Sequence, residues 1–157
     1  MRRKDREVTG ADALEEILEK CQVCRLALHG PEYPYVVPLN FGYARDGERF
    51  SLYFHGAREG TKMVLLRADP RAAFEMDTAL RLIPANDACA FTMEYESLTG
   101  CGLLSVLEGE EKRAGLSAIM RQYAPGRTFS FRPAELESVA VLRLSVLEMT
   151  GKRLCRG

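Results

Sequence analysis

The sequence predicts a mainly β domain of α+β class, in which antiparallel strands form a closed or partly closed barrel with a few helices outside it. Three observations predict it. Short runs of alternating apolar and polar residues recur along the chain, separated by Gly, Pro and Asp turn signals. Only a few segments carry apolar residues at helical spacing. The 157 residues contain no internal repeat, low-complexity stretch or linker, so a single domain over 1–157 is the economical organisation.

The elements follow in order. Thr9-Gly10-Ala11-Asp12 offers a helix cap, and Leu14, Ile17, Leu18 and Cys21 then form one apolar stripe, predicting a helix from about Ala11 to Cys21. Val23–Leu28 and Tyr35–Tyr43 predict two strands around the Gly30-Pro31-Glu32 turn. Asp46-Gly47 signals a hairpin into Phe50–His55, where Phe50, Leu52 and Phe54 share one face and Ser51, Tyr53 and His55 the other. Gly60–Arg67 predicts a short helix stopped by Asp69-Pro70. Ala72–Met76 predicts a strand, Ala79–Ala88 irregular chain, and Ala90–Val106 one or two strands interrupted near Gly100 and Gly102. Glu108–Tyr123 predicts a helix with Leu116, Ile119 and Met120 inward, Arg132–Glu137 a helical turn, and Val139–Met149 a strand with Ala140, Leu142, Leu144 and Val146 on one face.

Composition excludes several functions. Acidic and basic residues balance at 22 each, so no global field draws the chain to nucleic acid or to an anionic membrane. No apolar run approaches the roughly 18 residues of a membrane span. The charged stretch Met1–Glu7 lacks the apolar core of a secretory signal, and five cysteines imply no disulfide framework, so a reducing cytoplasm is expected.

One stretch points to chemistry. In Tyr53–Lys62 a strand ends near His55, a small-residue turn follows, and a helix starts near Gly60. A helix start presents unpaired N–H groups and partial positive charge. Gly56 and Gly60 let backbone approach a ligand, and Arg58, Lys62, Thr61 and His55 add donors, so a phosphate fits. The same pattern also fits an ordinary strand–turn–helix connection with solvated charges. Pro38 in Pro34–Tyr43 cannot donate to a ladder, which puts that strand at an edge or bulge and leaves backbone groups for a planar ligand.

The sharper alternatives are weaker. Cys21-Gln22-Val23-Cys24 would need about two more ligands to hold zinc, and two core-facing thiols are the simpler expectation, so no metal is assigned. His55 suits ligand contact better than obligate catalysis, although an ordinary pKa near 6.5 leaves it a candidate proton donor. His29 is expected in a solvated loop. Glu75 and Asp77 fit a solvent face or a salt bridge across a dimer, and Arg121, Arg127, Arg132 and the tail arginines fit surface charge.

The ordered set Cys24–Ala27, Pro34–Tyr43, Leu52–Lys62, Pro70–Asp77, Tyr95–Gly102 and Thr150–Arg153 resembles the pyridoxamine-5′-phosphate-oxidase-like, FMN-binding split-barrel proteins, with the nitroimidazole-resistance branch nearest. That resemblance implies a split barrel of roughly six to seven antiparallel strands with peripheral helices. It implies a homodimer with FMN at the subunit interface. Val37, Pro38, Leu39, Asn40 and Phe41 would run beside the flavin ring. His55, Gly56, Ala57, Gly60, Thr61 and Lys62 would lie near the ribityl and phosphate groups. Ser97 and Gly100 would border the pocket, and Lys152 within Thr150–Arg153 would approach it from the partner subunit. Glu96 stands where such relatives often carry a basic residue, and Thr99–Gly102 is smaller than the usual version. Arg153–Gly157 lacks the arginine–histidine motif of true pyridoxamine-phosphate oxidases, which argues against vitamin B6 oxidation. The expected activity is oxidation–reduction of a small planar acceptor such as a nitroaromatic, with a nicotinamide nucleotide or another cellular reductant as donor; the alternative is a flavin or haem carrier or sensor without turnover.

Overall fold

The computed structural model describes residues 3–155. Its elements are β1 (Glu7–Val8), α1 (Ala11–Lys20), β2 (Cys24–Leu28), β3 (Tyr35–Leu39), β4 (Phe41–Asp46), β5 (Arg49–Gly56), α2 (Thr61–Ala68), β6 (Arg71–Ile83), β7 (Thr92–Leu107), α3 (Gly109–Tyr123), α4 (Pro133–Ser138) and β8 (Ala140–Leu154). Eight antiparallel strands form one sheet in the order β3-β2-β6-β7-β8-β5-β4, with β1 added to β8. This agrees with the split-barrel class; the additional strand is the two-residue β1, too short to show a periodicity.

The ends of this path, β3 and β4, are consecutive in the chain and separated only by Asn40. The predicted strand Tyr35–Tyr43 is therefore two strands. Its first half pairs with β2 and its second with β5, and the chain switches partners at Asn40. The barrel closes through this one residue and stays open between β3 and β4, which pair with different neighbours. Pro38 sits opposite Arg25 on the terminal strand of the path, as its missing N–H requires.

Alternation places Leu26, Phe41, Leu52, Phe54, Phe74, Met76, Leu98, Leu142 and Leu144 inside the barrel, all buried. Ile17 and Leu18 of α1 and Met63 and Leu66 of α2 join the same core. Each such apolar side chain contributes about 1.5–3 kcal/mol on burial. The α1 cap differs from expectation: Gly10, at φ 89°, takes the cap position and no side chain caps the helix. At its other end Gln122 Nε2 donates to the carbonyls of Leu18, Glu19 and Cys21, answering groups the helix leaves unpaired.

Helix α3 packs against β4, β5 and β8 from outside. Gly42 has no room for a Cβ because Ala118 and Ile119 backbone atoms lie against it, and Gly115 sits over Val141 and Tyr53. Tyr123 ties the layers together: its hydroxyl accepts from Phe41 N–H at 3.0 Å and donates to the Gln22 carbonyl at 2.7 Å. Within α3, Ile119 is buried as expected, whereas Leu116 and Met120 are only half-buried.

Two segments correct the periodicity reading. The strand expected to end at Met76 continues to Ile83 through a register shift between Thr78 and Arg81, where Ala79 adopts φ 56°. The expected break near Gly100 is absent: β7 runs through 16 residues, with a register shift between Cys101 and Gly102 against β8. Both thiols of Cys21 and Cys24 are buried, as expected of core residues, and His29 is exposed. Met1, Arg2, Arg156 and Gly157 lie outside the described residues.

Candidate functional site

The predicted anion stretch is built from the end of β5 and the start of α2. Phe54 turns into the core and His55 outward, Gly56 makes the last ladder pair with Ala140, and α2 begins at Thr61 after Gly60 at φ 111°. No side chain caps this helix. Its first N–H groups and partial positive charge therefore remain available to an anion.

Lys62, in the first turn, folds back over Gly56. A Cβ placed on Gly56 would stand 2.5 Å from Lys62 Nζ. Lys62 is half-buried, and among the described residues its ammonium makes no ion pair or hydrogen bond. Burial lowers its pKa below the ordinary 10.5. A half-buried ammonium without a counter-charge, beside a small-residue turn and an uncapped helix start, favours a phosphate dianion. Thr61 is exposed beside it. Arg58 is engaged elsewhere, donating from Nη1 to the Glu137 carbonyl at 3.0 Å.

The segment before β4 reaches the same place. Phe41 pairs with Phe54, so the ladder brings Asn40 level with His55. Val37 and Leu39 are half-buried and face inward, while Pro38 and Asn40 are exposed. Phe41 differs from its neighbours, since its side chain is fully buried and its N–H is taken by Tyr123. Within one chain, then, the Asn40–Phe41 end of the first stretch meets the strand end at His55.

Ser97, Gly100 and Lys152 lie toward the other end of the β7–β8 pair from Gly56, although Gly100 shares a row of the sheet with Val37 through Leu26 and Phe74. Ser97 pairs with Lys152, and Gly100 pairs with Met149 on β8. Gly56 pairs with Ala140 at the other end of β8. Twelve residues of strand separate Ala140 from Lys152, on the order of 40 Å along the backbone. Gly100 has a packing reason of its own, because a Cβ there would lie 2.6 Å from the Phe74 ring.

Next to Ser97, Glu96 is buried with a 5% exposed side chain and is held by Lys20 at 2.8 Å and by Arg153. Burial pushes its carboxyl up, but hydrogen bonds and charges from Lys20 and Arg153 outweigh that and hold it below the usual range. The acidic residue at this position thus joins α1, β7 and β8. Glu75 and Asp77 are held by one partner within the chain, Arg25 on the neighbouring strand β2, rather than across a dimer.

A cavity of about 510 Å³ lies elsewhere, between α1, β4 and α3, with Glu15, Glu19, Tyr43 and Arg121 on its walls. Among the described residues no group of three or more potential metal ligands occurs, and no helix is long and apolar enough to cross a membrane. Sequence periodicity passes over Tyr123, whose role depends on strands distant in sequence. It also passes over Lys112, although Lys112 shares the helical stripe of Leu116 and Ile119.

A family model described as pyridoxamine 5′-phosphate oxidase matches residues 10–153. A candidate 5-nitroimidazole antibiotic resistance protein from Bacteroides thetaiotaomicron is 31% identical, with 93% of this chain and 85% of that one covered and a TM-score of 0.80. The FAD and heme binding protein from Mycobacterium smegmatis is 22% identical over 94% of this chain and 73% of that one, with a TM-score of 0.83. A FAD-binding protein from Mesorhizobium loti is 19% identical over 96% and 98% of the two chains, with a TM-score of 0.65. The last two likenesses are of fold. No curated protein matches the chain.

Proposed function

The chain belongs to the pyridoxamine 5′-phosphate oxidase family, and from that premise we propose that it is a cytoplasmic FMN-binding oxidoreductase acting on a small planar acceptor. The observation that carries this reading is the Lys62 ammonium, half-buried over Gly56 without a counter-charge at the uncapped start of α2. Lys62, the N–H groups of Thr61 and its neighbours, and His55 hold the phosphate and ribityl end. Val37–Leu39 and Asn40 orient the flavin ring. When bound, the flavin supplies the hydride and electron chemistry. The protein's own residues bind it, orient it and set its surroundings; His55, exposed beside Asn40, is the one candidate for passing a proton to the acceptor. The nitroaromatic acceptor class is supported by the Bacteroides thetaiotaomicron relative, and a nicotinamide nucleotide fits as donor.

The functional unit is a homodimer with the flavin at its interface. Two observations support it. Ser97, Gly100 and Lys152 lie toward the far end of the β7–β8 pair from Gly56, a spacing that suits a second copy bringing them to the ring held by Lys62. The extended β6–β7 hairpin also leaves Leu80, Leu82, Phe91 and Met93 exposed, an apolar surface of the kind that subunit contacts cover. The test is direct. Purified protein takes up FMN, turns yellow and oxidises a nicotinamide nucleotide when a nitroaromatic is present. A yellow protein without turnover is a carrier or sensor, and a protein that takes up no flavin contradicts the proposal.

A further inference from the structure

A second basic feature lies apart from the Lys62 cradle. Lys112 is only 6% exposed, yet among the described residues its ammonium makes no ion pair and no hydrogen bond. Its stem is buried while the ammonium reaches the surface without a protein partner, leaving the charge open to an anion. Helical side chains lean toward their own N-terminus, and Lys112 stands in the second turn of the 15-residue α3, so it leans over that helix's start. There it lines a cavity of about 330 Å³ together with Gly109 of α3, Leu136 of α4 and Arg58. The α3 start carries no side-chain cap, so its first N–H groups point into the same region.

Carboxylates share this cavity and decide its selectivity. Glu110 is taken up by Arg113 at 3.5 Å, and Glu111 next to it by Arg143 at 3.1 Å. Glu108 and Glu137 are exposed, where water solvates them. The Lys112 ammonium, on a buried stem, is the cation left without a protein partner among the described residues. An anion with several oxygens meets Lys112, the Arg58 guanidinium and the helix start at once, as phosphate groups do.

We propose that the cavity between the α3 start, α4 and Arg58 is a binding site for a phosphate-type anion, with Lys112 as its principal cation. Arg58, which the sequence suggests as a donor to the His55–Lys62 phosphate, is turned toward Glu137 and lines this cavity instead, and none of the groups that hold the FMN phosphate belongs to it, so it stands or falls separately from the flavin reading. The phosphate has three sources: the distal half of a flavin dinucleotide, a nicotinamide nucleotide, or free inorganic anion.

The experiment is calorimetric titration of the full-length protein with inorganic pyrophosphate. The native chain binds it saturably at one site, Lys112→Met weakens binding by about tenfold or more, and Glu108→Gln tightens it by removing a nearby carboxylate. FMN affinity stays unchanged in Lys112→Met. Absence of saturable binding, or equal affinity in the native chain and Lys112→Met, overturns the proposal. Should Lys112→Met fail to fold by circular dichroism, Glu108→Gln decides, and unchanged affinity there overturns it as well. In Lys112→Met, a selective loss of FAD affinity identifies the flavin dinucleotide as the source, a raised KM for a nicotinamide nucleotide identifies the donor, and loss of pyrophosphate binding alone identifies the free anion.

Discussion

Lys62 lies across the backbone of Gly56, at the junction of β5 and α2, so close that any side chain on Gly56 would displace its amine. This one contact joins the strand end to the helix start and sets where a phosphate would be held. It also makes Gly56 a sensitive probe. The clashing atom is the far end of a flexible side chain, so Gly56→Ala should fold normally while pushing Lys62 aside. We expect thermal stability near native and FMN affinity lower by about 1 kcal/mol, roughly fivefold. Binding titration alongside thermal unfolding checks both halves of this expectation.

The pH dependence of FMN binding carries the same signature. Burial lowers the Lys62 pKa from 10.5. For a lysine with a depressed folded pKa, keeping the charge costs stability below that folded value, and the cost disappears above the unfolded one. An anion offsets this cost only while the amine is charged. FMN affinity should therefore fall as pH rises through a point below the ordinary lysine range. In Lys62→Arg, which stays charged, this alkaline loss should be absent. Equilibrium titrations across pH 7 to about 10 separate the two proteins.

Glu96 predicts an acid response. Its folded pKa is held below the ordinary 4.5 by Lys20 and Arg153, against the opposing effect of burial. The stabilisation is present above the unfolded value and is lost as pH falls through the folded one. Glu96→Gln should cost about 2 kcal/mol at neutral pH, with less loss toward acid, because it leaves two cations facing a neutral amide. Denaturant unfolding at neutral and acid pH measures the difference.

The cysteines divide by reactivity. Burial pushes the Cys21 thiol up to about 12 and raises that of Cys24, so neither forms thiolate at neutral pH. Cys89 and Cys155 are exposed. A thiol-reactive disulfide reagent should label the exposed pair rapidly in native protein, and Cys21 and Cys24 only after denaturation. Rapid native labelling of Cys21 or Cys24, located by peptide mapping, would contradict this assignment.

Much of this architecture is legible in the sequence, and what is not has identifiable causes. The alternation of Phe50, Leu52 and Phe54 marks β5 correctly because one face is core and the other is not. The same two-residue period over Tyr35–Tyr43 cannot show that the chain changes partners at Asn40, since both halves keep alternating. Gly100 and Gly102 look like interruptions, yet β7 continues. Gly100 makes room for the Phe74 ring, and Gly102 lies against the Ser145 backbone. The extension of β6 past Met76 is obscured by Ala79 at φ 56° and by the exposure of Leu80 and Leu82, which removes the core signal. His55–Lys62 is visible as an anion site from its turn and helix start. That Ser97, Gly100 and Lys152 lie far along β8 from it depends on strand order, which no local pattern records.

The central claim is that Lys62 holds the phosphate of FMN. Its most direct test is the FMN dissociation constant of Lys62→Ala beside that of the native protein, with riboflavin, which lacks the phosphate, titrated in parallel. A charge-assisted contact of about 1.5–3 kcal/mol predicts FMN binding weaker by roughly tenfold to a hundredfold. Riboflavin binding should be nearly unchanged. Equal FMN affinity in the two proteins would contradict the account.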